Sequence, residues 1–481
     1  MPAVRKTVTA LAALLLVACG GGDSGKKAPD SKSPAASSGE GVSFHELDFP
    51  AMNGGDFAKN IEIIRASQDW NARTRALKSE DTELDPRKAL KLEMDREMLE
   101  ESFDLGCAFL ANWQLPEGNF RYMYDWIEGT WVEDDHQVRQ AGSLWGLGTC
   151  YRYKQQDNTK TALDKGLRYW FARTIEGPGE NTLTMKYNNE KTIHSGSVAL
   201  VALAIIEYLK TDAPMDPAWK TELETKLDGY LNFLVWMQRS NGHFSERFDH
   251  KSGKKRQRSS PYYDGETLLA LCKAARQLGK TDLVPTIERA ARATAETYTV
   301  KAWSKPHKKG NGRLDRDSNK TKGFFQWGSM AFSEYYQAGW KDKDLYGDVA
   351  VALGYWMIHT HHTLKRRRNH AYAVEGLIAG WTVAHLRGER EAELDLLFVL
   401  DRSLHKLGQW QHGGPVAHKN KWLKKNAKED PMSLGGVMNA AKPSGVDVKK
   451  DVSHQLRIDV TQHQMHATSM ALEDVYLPLP K

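Results

Sequence analysis

Six stretches of the chain share one design, in which a short polar or aromatic head runs into a helix that is apolar on nearly every face. The clearest example runs from Ser259 to Leu278, with the sequence SSPYYDGETLLALCKAARQL. A helix that faces water carries a polar stripe, whereas a helix that is apolar all round is buried. The other five stretches begin at Val138, His194, Lys322, Asn369 and Arg457. Six buried helices need about as many covering elements, and this need constrains the fold.

Covering helices alternate with the six buried ones along the chain. They are predicted at residues 88–113, 159–174, 218–239, 282–301, 345–364 and 391–407. Six outer and six inner helices in strict alternation predict an all-α (α/α)6 toroid of six helical hairpins, with all six heads on one face. Separate helical hairpins or an open solenoid are the alternatives.

Two connections between helices resemble each other. EGNFRYMYDWIEGTW follows the first outer helix, and NGHFSERFDHKSGKK follows the third. The alternation and turn residues of the first predict a small β-hairpin. Repetition at this scale indicates that one supersecondary unit is used again.

The first 19 residues have the pattern of a secretory signal. Arg5 and Lys6 precede an apolar run from Val8 to Val17, and the segment ending at Cys19 resembles the lipobox of bacterial lipoproteins. This resemblance implies cleavage before Cys19, acylation of Cys19, and anchoring in a lipid bilayer of the bacterial cell envelope. With Gly20 directly after Cys19, the segment resembles lipoproteins that are sent on to the outer membrane. A cleaved signal that leaves Cys19 free is the alternative.

The remaining chain divides by composition. Residues 20–41 are rich in Gly, Ser, Pro and Lys and predict a flexible tether; residues 42–86 predict an N-terminal wrap, and residues 87–481 the toroid. The formal charge of +6 for the whole chain is only mildly basic. No later run is long and uncharged enough to suggest a membrane span.

Three cysteines remain inside apolar helical patterns. An odd number cannot all pair, so buried free thiols are expected at Cys107, Cys150 and Cys272, with a Cys107 to Cys150 bridge left open. Metal-binding spacings such as CxxC do not occur, and we predict neither a metal nor a cofactor.

The alternating pattern from Arg87 onward resembles the six-hairpin toroid superfamily, which includes many glycoside hydrolases, polysaccharide lyases and sugar epimerases. The segment SPYYDGETLLAL resembles repeats in toroids of the uronate-epimerase type. The resemblance implies a carbohydrate substrate at the face that carries the heads. Fold alone does not give the reaction.

The heads supply two sets of candidate residues. The predicted catalytic residues are Tyr263, Asp264, Glu266, His370, Glu375 and Asp459. The predicted substrate-binding residues are Arg139, Gln140, His194, Tyr262, Trp327, Tyr372 and His463. Each of them alone could be a helix cap or a core residue, and only their convergence on one face of the toroid indicates a site.

Residue types leave the reaction open. Hydrolysis of a glycosidic bond needs a pair of carboxyl groups, and burial would raise the carboxyl pKa of Glu266 and Glu375 toward that of a general acid. A lyase or epimerase acting on a uronic acid would instead use Tyr or His as the base and a cation or amide to neutralise the acid, such as Arg139 or Asn369.

Charge in the connections indicates the class of ligand. The segments 240–262, 304–322, 364–370 and 408–458 carry 26 Lys and Arg against 8 Asp and Glu. In a toroid they would share one rim and attract polyanions, and outside the cytoplasm an acidic polysaccharide is expected rather than nucleic acid. The connection 114–137 opposes them with one Arg against six acidic residues, so the face would be dipolar rather than uniformly basic.

Two other functions fit the same sequence. One is a glycan-binding or envelope-assembly lipoprotein without catalysis. The other is a terpene-cyclase-like toroid, because WMQRSNGHF and NWQLPEGNF faintly resemble the QW repeats of those enzymes; an Asp-rich metal motif on an inner helix is missing.

Overall fold

The computed structural model describes residue 87 and residues 90–303, 307–308, 314–315, 317–368, 370–440 and 454–477. The predicted signal segment, tether and N-terminal wrap lie outside these residues, so those predictions stay predictions. Within the described part of the chain, no helix combines the length and the apolar character needed to cross a bilayer.

Helices account for most of the described chain. In chain order they are α1 (Arg96–Asn112), α2 (Gln137–Lys154), α3 (Asp157–Phe171), α4 (Ser195–Leu209), α5 (Pro217–Trp236), α6 (Pro261–Leu278), α7 (Val284–Ala295), α8 (Asn319–Gln337), α9 (Lys343–Tyr355), α10 (Ala371–Leu386), α11 (Arg390–Gly408), the short α12 (Lys421–Asn426) and α13 (Ile458–Met470).

The six apolar helices form a closed inner ring. Helices α2, α4, α6, α8, α10 and α13 each contact the next, and α13 returns to contact α2. The outer helices α1, α3, α5, α7, α9 and α11 pack against this ring. Close approach within the ring depends on small residues, because a Cβ at Gly265 would lie 2.5 Å from the Cβ of Trp327. The predicted (α/α)6 toroid is confirmed.

Capping explains where several helices begin and end. Helix α1 begins at Arg96 rather than at the predicted residue 88, because the Asp95 carboxylate accepts a 2.8 Å hydrogen bond from the Met98 amide. Helix α6 has Pro261 in its first turn and ends at Gly279, whose φ of 73° suits the left-handed C-terminal position.

Two outer helices continue into π-helical turns, which the sequence did not predict. Helix α7 continues through a π-helical turn at Glu296–Val300 to Lys301–Trp303, and α9 continues through another at Trp356–Thr360. The residues predicted to end these helices therefore lie at or beyond the π-helical turns.

Short strands occupy the connections. They are β1 (Met123–Asp125), β2 (Thr130–Val132), β3 (Thr174–Glu176), β4 (Leu183–Met185), β5 (Thr192–His194), β6 (Arg247–Asp249), β7 (Lys254–Lys255), β8 (His307–Lys308), β9 (Leu314–Asp315) and β10 (Gln455–Arg457). The predicted hairpin is β1–β2. Strand β10 pairs antiparallel with β1, with Met123 opposite Arg457, so the last connection closes the ring on the first.

The two similar connections are structural copies. In the first, Gln114 pairs with Phe120, and the Gln140 side chain accepts from the Phe120 amide at 2.8 Å. In the second, Gln238 pairs with Phe244, whose amide donates at 2.8 Å to Asp264. The predicted repeat is therefore confirmed, and Gln140 and Asp264 occupy equivalent positions in it.

The expectation of free thiols is wrong for two of the three cysteines. Cys107 and Cys150 form a disulfide between α1 and α2, with Cα atoms 5.9 Å apart. The two residues are 43 positions apart in sequence, and only the packing of the first hairpin brings them together. Cys272 is a buried free thiol, as expected.

Candidate active site

The N-terminal ends of the six inner helices bring the heads together on one face of the ring, which we call the mouth. Contacts between heads from different helices join it. The Tyr263 hydroxyl lies 3.1 Å from His194 Nδ1, and the amide of Gln326 lies 3.1 Å from His463 Nδ1. The predicted convergence of the heads is therefore observed.

Glu266 is a buried carboxyl group without a partner on one of its oxygens. The residue is 3% exposed, and its Oε2 makes no hydrogen bond to any described residue. Burial raises its pKa to about 8, so the group holds a proton at neutral pH. Gly196 on α4 makes room for it, because a Cβ there would lie 2.0 Å from Glu266 Oε2. Glu266 is thus poised to donate a proton.

Glu375 is also fully buried, but its pKa is lowered rather than raised. His463 Nδ1 lies 3.1 Å from Glu375 Oε2, and His466 Nδ1 lies 3.3 Å from Oε1. Burial alone would raise the pKa of Glu375, but the two imidazoles outweigh it and the pKa is lowered. Burial opposes the charge on His463 too, yet Glu375 raises the pKa of His463. This pair can hold and transfer a proton.

Glu375, His463 and His466 carry the kinds of ligand atoms that bind a divalent transition metal, and these atoms lie within 4.8 Å of one another. Hydrogen bonds already join part of this group. The Gln462 amide lies 2.7 Å from His466 Nδ1. His463 Nδ1 lies 3.3 Å from Glu375 Oε1, whereas Glu375 Oε2 makes no hydrogen bond to a described residue. We interpret the group as a hydrogen-bonded carboxylate and imidazole network.

The two glutamates occupy matching positions in different repeats. Tyr263 precedes Glu266 by three residues on α6, and Tyr372 precedes Glu375 by three residues on α10. Residues three apart on a helix share a face. Two Tyr-x-x-Glu units therefore enter the mouth, one with a protonated glutamate and one with an ionised glutamate.

Aromatic rings lie beside these polar groups. The rings of Trp145 and His466 are 3.6 Å apart between centroids, and those of Trp145 and Trp327 are 5.7 Å apart. His463 lies 5.8 Å from Trp327. Trp145 and His466 also line a cavity at the opposite face of the ring, so Trp327 is the ring of this group that can stack against a sugar in the mouth.

Two arginines share one carboxylate beside the mouth. Arg139 Nε lies 3.2 Å from Asp459 Oδ2, and Arg457 Nη2 donates to the same oxygen at 2.9 Å. Burial would raise the pKa of Asp459, but Arg457 and Arg139 outweigh it and the pKa falls well below its usual value. Arg139 also donates to the hydroxyl of Tyr122. Guanidinium groups bind carboxylates through paired, charge-assisted hydrogen bonds, so this cluster offers the chemistry for recognising a carboxylate on a ligand.

Several other predicted residues have structural contacts. The buried Asp264 accepts from Tyr298 at 2.5 Å and also bonds His243 Nδ1 at 2.7 Å, in addition to the Phe244 amide. His370 is fully buried, and burial holds its pKa well below the usual value. Their predicted catalytic roles stay predictions, but these contacts are those of residues that position the heads. Asn369 lies outside the described residues.

Sequence reasoning missed two residues that contact the mouth. His361 Nε2 lies 2.9 Å from the hydroxyl of Tyr372, and His361 Nδ1 lies 2.6 Å from Asp317. Both belong to connections leading into inner helices. The run His359 to His362, directly after the fifth outer helix, was the signal that could have drawn attention to this connection.

A cavity of about 330 Å³ lies at the opposite face, among the C-terminal ends of the inner helices. Several of its charged groups pair with one another. Glu207 holds Lys273 at 2.7 Å as well as Arg152, and Arg276 pairs with Glu334. Burial raises the pKa of Asp474 in this cavity, but Asp474 accepts a hydrogen bond from Thr382 at 3.1 Å. Because Glu266, with an oxygen that no described residue bonds, is at the mouth, we take the mouth as the candidate active site.

No protein-family model and no curated protein sequence matches the chain. Solved structures do match in three dimensions. A D-mannose isomerase superposes with a TM-score of 0.51 at 15% identity, covering 78% of this chain and 97% of the other. The likeness establishes the fold. Cellobiose 2-epimerase from Bacillus thermoamylovorans B4167 gives a TM-score of 0.54 at 11% identity over 79% and 98% of the two chains. An unsaturated glucuronyl hydrolase specific for heparin gives 0.51 at 12% identity over 78% and 97%.

Proposed function

We propose that this protein is a carbohydrate-modifying enzyme that carries out acid–base chemistry on a sugar bound in the mouth. The observation that carries the proposal is the pair of fully buried glutamates with opposite pKa changes, raised to about 8 at Glu266 and lowered at Glu375. Environments that drive two titratable groups apart in this way assign an acid and a base. The names of the superposed proteins, an isomerase, an epimerase and a hydrolase of sugars, support this class.

The geometry gives each group a part in that chemistry. Glu266 donates a proton to the sugar, because its carboxyl is neutral and has an unbonded oxygen. His463 accepts and returns a proton while Glu375 balances the charge. The ring of Trp327, which lies 5.8 Å from that of His463, packs against the apolar face of the sugar. Hydrolysis, β-elimination and epimerisation all use such an acid and base, and the products distinguish them.

We further propose that the sugar is acidic and belongs to a polysaccharide or oligosaccharide. Two guanidinium groups, those of Arg139 and Arg457, meet at Asp459 beside the mouth, and guanidinium is the side-chain group best suited to bind a carboxylate. The basic connections found in the sequence would add long-range attraction for a polyanion. Nucleic acid would be attracted by the same charge, but it does not need the buried acid and base of the mouth.

We propose the cellular location of the protein separately, on the basis of its sequence. The lipobox-like segment supports acylation of Cys19 and anchoring in the bacterial envelope, in the outer membrane by the criterion of Gly20. Mass spectrometry of the N-terminal peptide of membrane-extracted protein should find Cys19 as an acylated first residue. An unmodified Cys19 peptide would refute the anchor and leave the proposed chemistry untouched.

A product assay tests the proposed chemistry. The purified protein is incubated with mannose, cellobiose, an unsaturated glucuronyl disaccharide and a polyuronate. New reducing ends, unsaturated uronates and epimeric sugars are measured in parallel. Turnover by the wild type that is lost in Glu266→Gln and His463→Gln supports the proposal. Saturable binding of the polyuronate without any product would show a glycan-binding protein instead.

A further inference from the structure

Tyr372 belongs to a hydrogen-bonded chain that the acid and base already described do not use. Its hydroxyl lies 2.9 Å from His361 Nε2, and His361 Nδ1 lies 2.6 Å from Asp317 Oδ1. Arg366 holds the other end, because it donates to Asp317 Oδ2 at 2.5 Å and to the His361 carbonyl at 2.9 Å. The chain thus runs from a charged group in one connection through a buried imidazole to a head of the mouth.

The donors and acceptors in this chain can be assigned. Burial lowers the pKa of His361 in spite of Asp317, so the ring is neutral and carries one proton. His361 Nδ1 lies 2.6 Å from Asp317 Oδ1 and 3.1 Å from Arg366 Nη2. A lone pair on Nδ1 would be repelled by the closer carboxylate, so we infer that the proton is on Nδ1 and is donated to Asp317. Nε2 then carries the lone pair and accepts the hydroxyl proton of Tyr372. Hydrogen bonds therefore connect Tyr372 to Asp317 through His361. Burial raises the pKa of Tyr372 and lowers that of His361, so the hydroxyl proton moves only as Tyr372 takes up another proton.

The position of Tyr372 connects this hydrogen-bonded chain with the mouth. Tyr372 is 8% exposed while His361 is 2% exposed, so the tyrosine is the more open of the two. Tyr372 shares a face of α10 with Glu375, which contacts His463 in the mouth. A similar pair joins α6 to the start of α4, where the Tyr263 hydroxyl lies 3.1 Å from His194 Nδ1 and burial lowers the pKa of His194 to about 3.

From this geometry we propose that Tyr372 is a further catalytic residue, a phenol that takes a proton from a sugar carbon while His361, held by Asp317, takes the phenol's own proton. This inference rests on the proposed function. In the step the C–H bond breaks, its electron pair stays on the sugar next to a carbonyl or carboxyl group, and a new O–H bond forms at Tyr372. The original hydroxyl proton moves to His361 Nε2, and the resulting imidazolium is balanced by Asp317. Tyr372 is catalytic, and His361 and Asp317 are positioning residues.

Nitrogen NMR of the histidine-labelled full chain tests the relay without any substrate. His361 is assigned by its loss in His361→Asn. The expected spectrum shows a neutral ring with the proton on Nδ1, and the Nε2 resonance shifts in Tyr372→Phe because it loses its donor. In Asp317→Asn the preference for the Nδ1 proton is lost, and Asp317→Glu restores it. A ring protonated on Nε2, or an Nε2 resonance unchanged in Tyr372→Phe, overturns the relay.

Kinetics test the catalytic role on the probe sugar that the wild type turns over. Tyr372→Phe should lower kcat by about 10² to 10³-fold with little change in KM, since the ring that packs in the site remains. His361→Asn should also lower kcat, and in the double variant the two reductions in kcat should not multiply. Tyr208→Phe is the matched control, because Tyr208 is a buried tyrosine that donates to Asp164 at 2.7 Å, outside the mouth, and kcat should not change.

The outcomes separate the two proposals. An unchanged kcat in Tyr372→Phe refutes the role of Tyr372 while the wild-type turnover still supports the proposed function. Wild-type protein that turns over none of the four probes refutes the proposed function, and with it the catalytic role of Tyr372. The NMR result still decides whether the hydrogen-bonded relay exists.

Discussion

Replacing Glu266 by Gln should stabilise the protein at neutral pH while removing its activity. The unfolded chain ionises this carboxyl near its ordinary pKa of 4.5, whereas burial raises the folded pKa to about 8. The folded state therefore binds a proton that the unfolded state releases, and stability falls as pH rises from about 4.5 to about 8. The neutral side chain of Gln has no such dependence.

The magnitude follows from the two pKa values. A tenfold change in proton affinity corresponds to about 1.4 kcal/mol, so keeping Glu266 protonated at about pH 7 costs about 3 kcal/mol. An amide that lacks a partner in the same space adds a cost of about 1 to 3 kcal/mol that does not depend on pH. The difference between variant and wild type should therefore move by about 3 kcal/mol in favour of the variant between about pH 4.5 and about pH 7.

Urea unfolding of both proteins across this pH range measures the difference. Glu207→Gln provides a matched contrast, because Glu207 is equally buried on an inner helix but is ion-paired with Arg152 and Lys273. Burial opposes its charge, yet the two cations lower its pKa, so its stabilising contribution is present above the ordinary carboxyl pKa and is lost as pH falls. Because that loss lies below about pH 4.5, the cost of Glu207→Gln should change little between about pH 4.5 and about pH 7, in contrast to that of Glu266→Gln. A difference for Glu266→Gln that does not change with pH would refute the assignment of a protonated carboxyl.

Three further outcomes are expected. Turnover should fall as pH rises through about 8, because Glu266 then loses the proton it donates, and a rate that stays constant to about pH 10 in a pH profile would exclude it as the acid. Gly196→Ala should abolish turnover while circular dichroism still shows a folded helical protein, because the new Cβ would occupy the place of Glu266 Oε2; full activity would contradict the packing. Cys107→Ser with Cys150→Ser should lower stability by about 2 to 4 kcal/mol, and thermal unfolding that is identical with and without the two substitutions would contradict a disulfide that constrains the unfolded chain.

The fold could be predicted because its signal is spread over the whole chain. Six apolar helices cannot be covered without six others, and periodicity reveals both sets. Helix ends were less accessible, because they depend on individual contacts such as the Asp95 cap and on π-helical turns that periodicity does not show.

The site could be predicted only in part. Glu266 and Glu375 were recognisable as carboxyls inside apolar helix starts, but both were expected to have raised pKa values. The structure lowers the pKa of Glu375 because His463 and His466, about 90 positions later in the chain, contact it. Asp317 and His361 escaped notice for a related reason, since they lie in connections and meet only in the folded ring.

Similar-looking heads also differ in ways that sequence does not show. Asp264 stands two residues before Glu266 and has the same acidic type, yet its carboxylate accepts the Phe244 amide and the Tyr298 hydroxyl. Gln140 holds the matching amide of Phe120 in the first repeat. A buried carboxylate with its lone pairs occupied holds backbone in place, whereas one with an unbonded oxygen is available for chemistry.

The central claim is that the mouth performs acid–base chemistry on a sugar, and proton NMR of the four probe sugars incubated with the protein in deuterated water tests it most directly. The account predicts that at least one probe changes, through a new anomeric signal, an unsaturated product or deuterium at a sugar carbon, and that Glu266→Gln stops the change. Unaltered spectra for every probe, or equal change with Glu266→Gln, would contradict it.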